Sequence, residues 1–432
     1  MGCTGDREQA IRTLLNPPVA PSTTAGIREH DTSHAHASRP LEVALIVTQL
    51  TAGAGGVALR GAVSLDPSRY RTTIFTSEGS SMIALAEDSG LEVVRLRHMA
   101  GGRGVYLGGD THGFRELTAH LRSRRFDLVH THSAKAGTLG RLAARRTNVP
   151  AIVHTFHGFP FHDFQPAVVR RGLLAAERRL ARFTDYFLTA GTMVAADAIR
   201  LGLAAPERIR TIDVPVQDDI PAVTEQRRRY ARDLMGVPQG ATVVGTAARV
   251  TGQKAPLDMV RAIELLRRPD LYMVWIGDGD LRAKTERAVA GAGLEDRFLL
   301  LGERVDVPTL LPGLDVFVLP SLYEGLPCAL VEAMTCGIPV VATAVNSVPE
   351  IVMPGRTGLL APPGAPRQLA RAIGFMLDFP DAASEMAQAA RARIGDAFQP
   401  DVHGRELAGV YSLAVRFGEL RTGKRATVTA PA

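Results

Sequence analysis

The feature that most constrains the fold of this chain is a repeated alternation of short β-branched runs with helical segments. The first series of runs begins at Leu41 and comprises EVALIVT, TTIFT, EVVRL, DLVH, AIVHT and YFLTA. A second series comprises TVVGTAAR, LYMVWIG, FLLLG, DVFVLP and IPVVAT. Such alternation is typical of βαβ units, in which helices cover both faces of a parallel sheet. The sequence therefore predicts an α/β protein with two doubly wound, Rossmann-like domains facing a central cleft.

The two series also define the expected domain boundaries, and a length of 432 residues suits two separate cores. We expect an N-terminal domain over 41–214 and a C-terminal domain over 241–400. The stretch 215–240 contains no strand pattern and several breakers, which predicts a connection with one helix. A helix near 401–420 is expected to complete the first domain, while 1–40 and 421–432 are predicted to be a flexible leader and tail.

Composition limits the class of protein. The chain is 46% hydrophobic and 22% charged, and it has no apolar stretch near the roughly 18 residues that span a bilayer. Its three cysteines form neither a disulfide framework nor a metal-type spacing, which fits a reducing cytoplasm. The net charge of +6 is spread over amphipathic helices without aromatic-rich basic strands, so nucleic-acid binding is not expected.

Two glutamates stand eight positions apart in YEGLPCALVEAMTCGIP, which spans residues 323–339. Pro327 suits a first helical position, so the two residues before it would form a turn with amide groups exposed at a helix start. Such a helix N-terminus binds anions, and a diphosphate would suit it. Glu324 before the turn and Glu332 inside the helix can accept hydrogen bonds from the hydroxyls of a sugar or a ribose. The alternative interpretation is a turn cap and a solvated helix residue.

The sequence around these glutamates resembles a known enzyme family. DVFVLPSLYEGLPCALVEAMTCGIPVVATAVNSVPEIVMPGRTGLLAPPG is similar to the glutamate-x7-glutamate region of family 4 glycosyltransferases, which are retaining enzymes of the GT-B fold. The segments GTAARVTGQKAPLDMVRAIELL, VWIGDGDLR and DLVHTHSAKAGTLGRLAARRTNVPAIVHTFHGFPFH agree with the family as well. The resemblance covers residues 41–415 and is most specific in the C-terminal half. It implies transfer of a hexose or N-acetylhexosamine from a nucleotide sugar, with UDP favoured, to an acceptor hydroxyl with retention of anomeric configuration.

The same resemblance implies roles for individual residues. Arg249 and Lys254 in RVTGQK match the basic pair that neutralises the donor diphosphate, and a departing nucleotide independently requires such cations. Glu324 would contact the transferred sugar, and Glu332 the nucleotide ribose. Backbone groups near sugar and phosphate are implied at Gly325, Leu326, Pro327, Cys328 and Ala329.

Two further loops belong to the implied donor site. LGERVDV, at Arg304 and Val305, resembles the base-binding segment of the family. QLTAGAGG puts Gly55 and Gly56 at a strand-to-helix turn, where small residues let the backbone approach a ligand. In the family this loop faces the donor phosphate and the acceptor. Its spacing differs from the dinucleotide fingerprint G-x-G-x-x-G, which disfavours an NAD(P) site.

Histidines cluster at the ends of two neighbouring strands, where folds of this kind place functional groups. The cluster consists of His130, His132, His154, His157 and His162. Ordinary loop histidines and a zinc site are the alternatives, but no carboxylate or cysteine completes a convincing zinc set. HTFHG matches the family segment whose histidine lies near the donor sugar, so His157 is the first candidate and His154 the second.

Neither a metal nor a cofactor is predicted. GDGD at 277–280 has the spacing of two Mg²⁺ ligands, but a glycine turn is the better interpretation because Arg249 and Lys254 already supply positive charge. The family usually has an Asn-Gly-Val/Ile-Asp turn where this chain has DVPVQDD at 213–219. That departure leaves domain closure and the fit of the acceptor open.

The predicted partners are a nucleotide-sugar donor and a sugar, lipid-linked or small-molecule acceptor. QPAVVRRGLLAAERRLAR at 165–182 contains five arginines and one glutamate beside apolar residues. This pattern is typical of a helix that rests on anionic lipid, or of an ordinary surface helix with buried leucines. The expected location is the cytoplasm, either free or peripheral at the inner face of the membrane. A nucleotide-sugar epimerase of the same fold and a non-catalytic nucleotide-sugar-binding protein are the alternative functions.

Overall fold

The computed structural model describes residues 39–51, 53–99, 107–161, 165–216 and 220–423, with the backbone alone for 107–109 and 396–397. His162, most of the predicted leader, part of the DVPVQDD segment and most of the predicted tail lie outside the described residues. The chain folds into two compact units. Unit 1 comprises the described parts of Met1–Ile212 and Gly404–Ala432, and unit 2 those of Asp213–His403.

Unit 1 contains a seven-stranded parallel sheet with the strand order β3-β2-β1-β4-β5-β6-β7. The strands are β1 (Leu41–Val47), β2 (Tyr70–Ser77), β3 (Glu92–Leu96), β4 (Leu128–His132), β5 (Ala151–Phe156), β6 (Tyr186–Thr189) and β7 (Ile209–Thr211). The helices are α1 (Ala54–Val63), α2 (Ile83–Asp88), α3 (Leu107–Ser123), α4 (Ala134–Thr147), α5 (Ala167–Ala181) and α6 (Thr192–Arg200).

Helices cover both faces of this sheet, which explains why its central strands are buried along almost their whole length rather than at alternate residues. On one face, Leu117 of α3 and Leu139 of α4 belong to the same buried cluster as Ile46 of β1. On the other face, Val43 packs with Val410 from the C-terminal helix α15 (Pro400–Thr422). From residue 404 onward, α15 is therefore part of unit 1.

An ion pair fastens the end of α15 to the sheet. Arg421 Nε lies 2.7 Å from Oδ1 of Asp185, which is fully buried. Oδ2 of the same carboxylate accepts a 2.8 Å hydrogen bond from the amide of Ile152 in β5. One carboxylate thus links the loop before β6, a central strand and the last helix.

Unit 2 contains a six-stranded parallel sheet with the strand order β10-β9-β8-β11-β12-β13. The strands are β8 (Thr242–Ala247), β9 (Leu271–Ile276), β10 (Phe298–Gly302), β11 (Val316–Leu319), β12 (Val340–Thr343) and β13 (Leu359–Ala361). The helices are α7 (Glu225–Met235), α8 (Pro256–Leu266), α9 (Arg282–Gly291), α10 (Val307–Leu310), α11 (Cys328–Cys336), α12 (Val348–Ile351), α13 (Pro366–Asp378) and α14 (Pro380–Ile394). Two doubly wound parallel sheets confirm the predicted α/β fold class.

Helix α7 lies within the predicted connection and packs on unit 2. Arg232 Nη2 is 3.0 Å from Oδ2 of Asp315, and the same oxygen accepts a 2.7 Å hydrogen bond from the amide of Val243. These contacts join α7 to the starts of β8 and β11. Among the described residues, no helix combines the length and the apolar character that a membrane crossing requires.

Candidate active site

The strand order of unit 2 reverses direction between β8 and β11, which are neighbours in the sheet although β9 and β10 intervene in the chain. In doubly wound sheets, ligands bind beyond the carboxyl ends of the strands at such a switch point. The two loops that leave these strands are directly bonded. The amide of Leu322 donates to the Gln253 carbonyl at 2.7 Å, and Gln253 Nε2 donates to the Tyr323 carbonyl at 2.9 Å.

The loop after β8 carries Arg249 and is supported by the GDGD turn. The indole Nε1 of Trp275 donates to the Ala248 carbonyl at 2.7 Å. A Cβ added at Gly277, whose φ is 142°, would stand 2.1 Å from the same carbonyl oxygen, so only glycine fits there. The GDGD segment thus forms a close-packed turn beneath the loop. The Arg249 side chain is exposed, with Nη2 3.4 Å from the side-chain oxygen of Gln253.

Lys254 and Glu324 form an ion pair at the switch point, between Nζ and Oε1. Lys254 ends a short 3₁₀ turn before α8, and Glu324 lies in the loop between β11 and α11. Their side chains are only 14% and 6% exposed. The hydroxyl of Ser321 donates to Oε1 of Glu324 at 2.5 Å. The carboxylate is therefore fixed by a cation and a hydroxyl from two different loops.

A third loop, after β12, holds the backbone of the same segment. The amide of Glu324 donates to Oδ1 of Asn346 at 2.8 Å. Asn346 has a φ of 43°, in the left-handed region that asparagine tolerates better than most residues. The Thr343 hydroxyl donates to the Ser321 carbonyl at 2.5 Å. Side chains that follow β8, β11 and β12 together determine where the Glu324 carboxylate lies.

Sequence reasoning did not identify Ser321, Asn346 or Gln253 as parts of this site. Ser321 and Asn346 follow β11 and β12 within three residues, and Gln253 lies next to Lys254. Polar residues immediately beyond the carboxyl ends of buried strands are the signal that would have indicated them.

Helix α11 begins at Cys328, and Pro327 is its N-cap rather than its first helical residue. The predicted helix start was one residue too early, because Pro327 has a ψ of 111°, which is extended and not helical. Pro327 and the two residues before it are buried, while Cys328 and Ala329 are partly exposed. Glu332 lies in the second turn of α11 and is 9% exposed.

Arg304 and Val305 follow β10, which is separated from β8 by β9. The guanidinium of Arg304 donates to both oxygens of Asp306, at 2.8 and 2.6 Å. This contact raises the pKa of Arg304 and lowers that of Asp306. The Val305 side chain is 77% exposed. The Arg304 side chain thus contacts a residue of its own loop, whereas Lys254 and Glu324 come together from loops that follow two different strands.

Unit 1 has its own switch point, between β1 and β4. Thr48 after β1 and Ser133 after β4 are joined through their hydroxyls at 2.8 Å. Gly55 and Gly56 are buried in the first turn of α1. A Cβ at Gly55 would stand 2.6 Å from the Gln49 carbonyl oxygen, so the turn after β1 requires a residue without a side chain there.

The structure separates the two candidate histidines. His154 is buried in β5, and its Nδ1 is 2.8 Å from the Thr131 hydroxyl. Its ring lies against α4, with Cε1 only 2.5 Å from where a Cβ of Gly137 would stand. Burial, together with the nearby charge of Arg141, holds the pKa of His154 well below its ordinary value of 6.5. His154 is thus a neutral core residue.

His157 lies beyond the end of β5 and is partly exposed, with Nε2 2.9 Å from Nδ1 of His132. His130, in the middle of β4, is buried between the Tyr411 hydroxyl and the Thr155 hydroxyl, at 2.9 and 2.7 Å. Within the described ranges, no group of three or more histidine, cysteine, aspartate or glutamate side chains could hold a metal ion. Of the two candidate histidines, His157 is therefore partly exposed beyond the end of its strand, whereas His154 is buried.

Comparison with known proteins identifies the family and the fold of the chain. A family model described as "Glycosyl transferases group 1" matches residues 231–393, and one described as "Glycosyl transferase 4-like domain" matches residues 52–215. The solved structure of Anabaena Alr3699/HepE in complex with UDP and glucose is similar, with a TM-score of 0.74 and 22% identity. That similarity covers 85% of this chain and 99% of the other.

Two curated relatives have closer sequences. The UDP-Gal:alpha-D-GlcNAc-diphosphoundecaprenol alpha-1,3-galactosyltransferase of Escherichia coli is 32% identical over 56% of this chain, which spans 64% of that enzyme's length. The 2-deoxystreptamine glucosyltransferase of Streptomyces kanamyceticus is 31% identical over 65% of this chain and 77% of its own length. With two Rossmann-like sheets and these matches, the chain belongs to the group 1 glycosyltransferases and has the GT-B fold.

Proposed function

We propose that this chain is a retaining glycosyltransferase that moves a hexose or N-acetylhexosamine from a UDP-sugar to an acceptor hydroxyl. The observation that carries the proposal is the Lys254–Glu324 pair at the switch point of unit 2, with Arg249 exposed in the same loop. UDP is favoured as the nucleotide because the similar Escherichia coli enzyme is named for UDP-Gal and the similar Anabaena structure contains UDP.

The cations of this site would stabilise the leaving group. In the reaction, the bond between the anomeric carbon and the diphosphate breaks, a bond to the acceptor oxygen forms, and negative charge grows on the diphosphate. The departing diphosphate takes up the proton of the acceptor hydroxyl. Lys254 is already paired with the Glu324 carboxylate, whereas the exposed side chain of Arg249 can turn toward the diphosphate. Amide groups at the start of α11 and the helix dipole would add to this stabilisation. We propose that these groups act without a divalent ion.

The remaining candidates would bind the rest of the donor. The Glu324 carboxylate, fixed by Ser321 and Lys254, would accept hydrogen bonds from the transferred sugar. Glu332 would accept hydrogen bonds from the ribose. His157 would contact the transferred sugar, and backbone groups would complete the site at Gly55, Gly56, Arg304, Val305 and the start of α11.

For the acceptor we favour a lipid-linked molecule at the cytoplasmic face of a membrane. Helix α5 has Val168 and Val169 exposed by 81% and 48% beside exposed Arg170 and Arg171, while its leucines turn into the core. Exposed valines next to cationic side chains suit an anionic lipid surface. The name of the Escherichia coli relative specifies an undecaprenol diphosphate acceptor. A small soluble acceptor is the second candidate, favoured by the 2-deoxystreptamine acceptor named for the Streptomyces relative.

A panel of UDP-sugars with lipid-linked and soluble acceptors tests the proposed reaction. We expect transfer in the presence of EDTA, and NMR of the fresh glycoside should show the anomeric configuration of the donor. An inverted product, or activity that EDTA abolishes and Mg²⁺ or Mn²⁺ restores, would refute the mechanism. Donor-only incubation separates the alternatives, since an epimerase would convert the sugar without acceptor, and a binding protein would bind it without turnover.

The membrane surface is tested separately by co-sedimentation with vesicles that contain anionic lipid. At low salt, where surface attraction is strongest, we expect the protein to sediment with the vesicles and to be released by higher salt. The variant Val168→Ser/Val169→Ser should bind more weakly while its activity on a soluble acceptor is unchanged. If the wild-type protein stays in the supernatant at low salt, the lipid-surface part of the proposal is wrong.

A further inference from the structure

His132 and His157 form a direct hydrogen bond between their rings at the carboxyl edge of the unit 1 sheet. Nδ1 of His132 lies 2.9 Å from Nε2 of His157, and the ring planes are inclined by 27°. His132, the last residue of β4, is 3% exposed. A hydrogen bond between two imidazole nitrogens contains one proton, so the protonation of either ring at this contact depends on the other.

The ring of His132 is in turn fixed by the core of unit 1. It packs against His130, with 4.2 Å between the ring centroids and 41° between the ring planes. Both ring nitrogens of His130 are held by hydroxyls, those of Tyr411 in α15 and Thr155 in β5. His130 and Tyr411 are fully buried, so solvent does not compete for these hydrogen bonds. The orientation of His132 is therefore determined by the packing of β4, β5 and α15.

The bond to His132 restricts what His157 can offer to a substrate. With Nε2 directed at His132, a hydrogen bond between the His157 ring and a sugar hydroxyl would use Nδ1. If His157 donates through Nε2, then Nδ1 is an acceptor; if His132 is the donor, then Nδ1 of His157 carries the proton. In both cases the bond to His132 restricts the orientation of the His157 ring, and with it the direction of Nδ1.

We propose that His132 is a positioning residue for glycosyl transfer, which holds the His157 ring in the orientation that contacts the transferred sugar. The proposal rests on the proposed function, in which His157 touches the donor sugar. Loss of the bond would allow the ring of His157 to rotate, and a displacement of about 1 Å in a positioning group can lower the rate about 10²-fold.

A matched pair of variants tests the role of Nδ1. The side-chain amide of asparagine reaches about the position of a histidine Nδ1, whereas that of glutamine reaches about the position of Nε2. We expect His132→Gln to lower kcat about 10²-fold with little change in the KM for the UDP-sugar, and His132→Asn to retain activity within about tenfold of wild type. Equal losses in the two variants, at equal melting temperature, would overturn the proposal.

The ring ¹⁵N signals of His157 provide a readout that does not depend on turnover, with His157→Gln used to assign them. We expect His132→Gln to change the Nε2 signal, whereas His132→Asn should leave that signal close to wild type. Unchanged His157 signals in His132→Gln would overturn the proposed coupling. If the wild-type protein turns over no nucleotide sugar, the proposed function fails, and these spectra still decide whether His132 controls His157.

Discussion

Removal of the Lys254–Glu324 ion pair should separate the catalytic contribution of Lys254 from its contribution to stability. The two side chains are 14% and 6% exposed, so Lys254→Met would leave a buried carboxylate without its cation. Breaking a buried pair from one side typically costs about 3–5 kcal/mol. Because the Ser321 hydroxyl still donates to Glu324, we expect a loss at the lower end, about 3 kcal/mol in unit 2.

The double variant Lys254→Met/Glu324→Gln should regain most of the lost stability but not the lost activity. Replacing both members of a buried pair by neutral groups of similar size is often close to neutral, so most of the lost stability should return. Turnover should not return, because the diphosphate still lacks its cation. By comparison with the removal of one oxyanion donor, we expect kcat to fall about 10²- to 10³-fold in both variants.

Trp275 makes the stability measurement specific to unit 2. It is the single tryptophan of the chain and is fully buried in β9, so its fluorescence during urea unfolding reports on that sheet. Arg268→Met is the matched control, since it breaks a pair with Asp378 whose members are 30% and 51% exposed. It should cost less than about 1 kcal/mol and leave turnover unchanged. A double variant with turnover within tenfold of wild type would refute a role of Lys254 in the reaction.

Three further outcomes are expected. Glu177→Gln should lower the stability of unit 1 by about 3–5 kcal/mol, which calorimetry would show as unfolding at a lower temperature. Arg141 and Glu177 are 0% and 5% exposed, so the substitution would leave a buried guanidinium without its counter-charge. The pKa of His154 lies well below 6.5 in the folded chain, so the unfolded chain binds a proton at His154 at a higher pH than the folded chain does. Stability should therefore fall by up to about 1.4 kcal/mol per pH unit as the pH is lowered from 6.5. His154→Asn should remove this contribution from urea titrations performed below pH 6.5. Glu332→Gln should raise the Kd for UDP about tenfold in calorimetric titrations with little effect on kcat, since a ribose contact is remote from the reacting carbon.

The strands could be predicted where a run of β-branched residues is long enough to be distinctive. All eleven runs quoted from the sequence form strands, including LYMVWIG, which contains β9. The two strands that were not predicted, β7 and β13, are three residues each and lie at the edges of their sheets. Three residues show no measurable alternation, and an edge strand depends on its neighbour more than on its own sequence.

The contacts of the site were less predictable than its residues. Arg249, Lys254 and Glu324 were identified from motifs, but the direct pairing of Lys254 with Glu324 depends on β8 lying beside β11. Seventy positions separate the two residues in the chain, and local patterns do not specify which strands become neighbours. Asn346 joins the site from the loop after β12, so its role likewise becomes visible only when the sheet is assembled.

The alternation of side chains along a strand predicts the positions of some of these histidines but not of all. His130 and His132 are two positions apart in β4 and share one face of the sheet, where their rings are in contact. The register pairs His132 with Thr155 and Thr131 with His154, so His154 must lie on the opposite face, against α4. Alternation and register together therefore exclude His154 from any group that contains His132. His157 lies beyond the last residue of β5, where alternation no longer fixes the direction of a side chain. Its orientation is instead held by the ring of His132, and a contact of that kind follows from the fold and not from the local sequence.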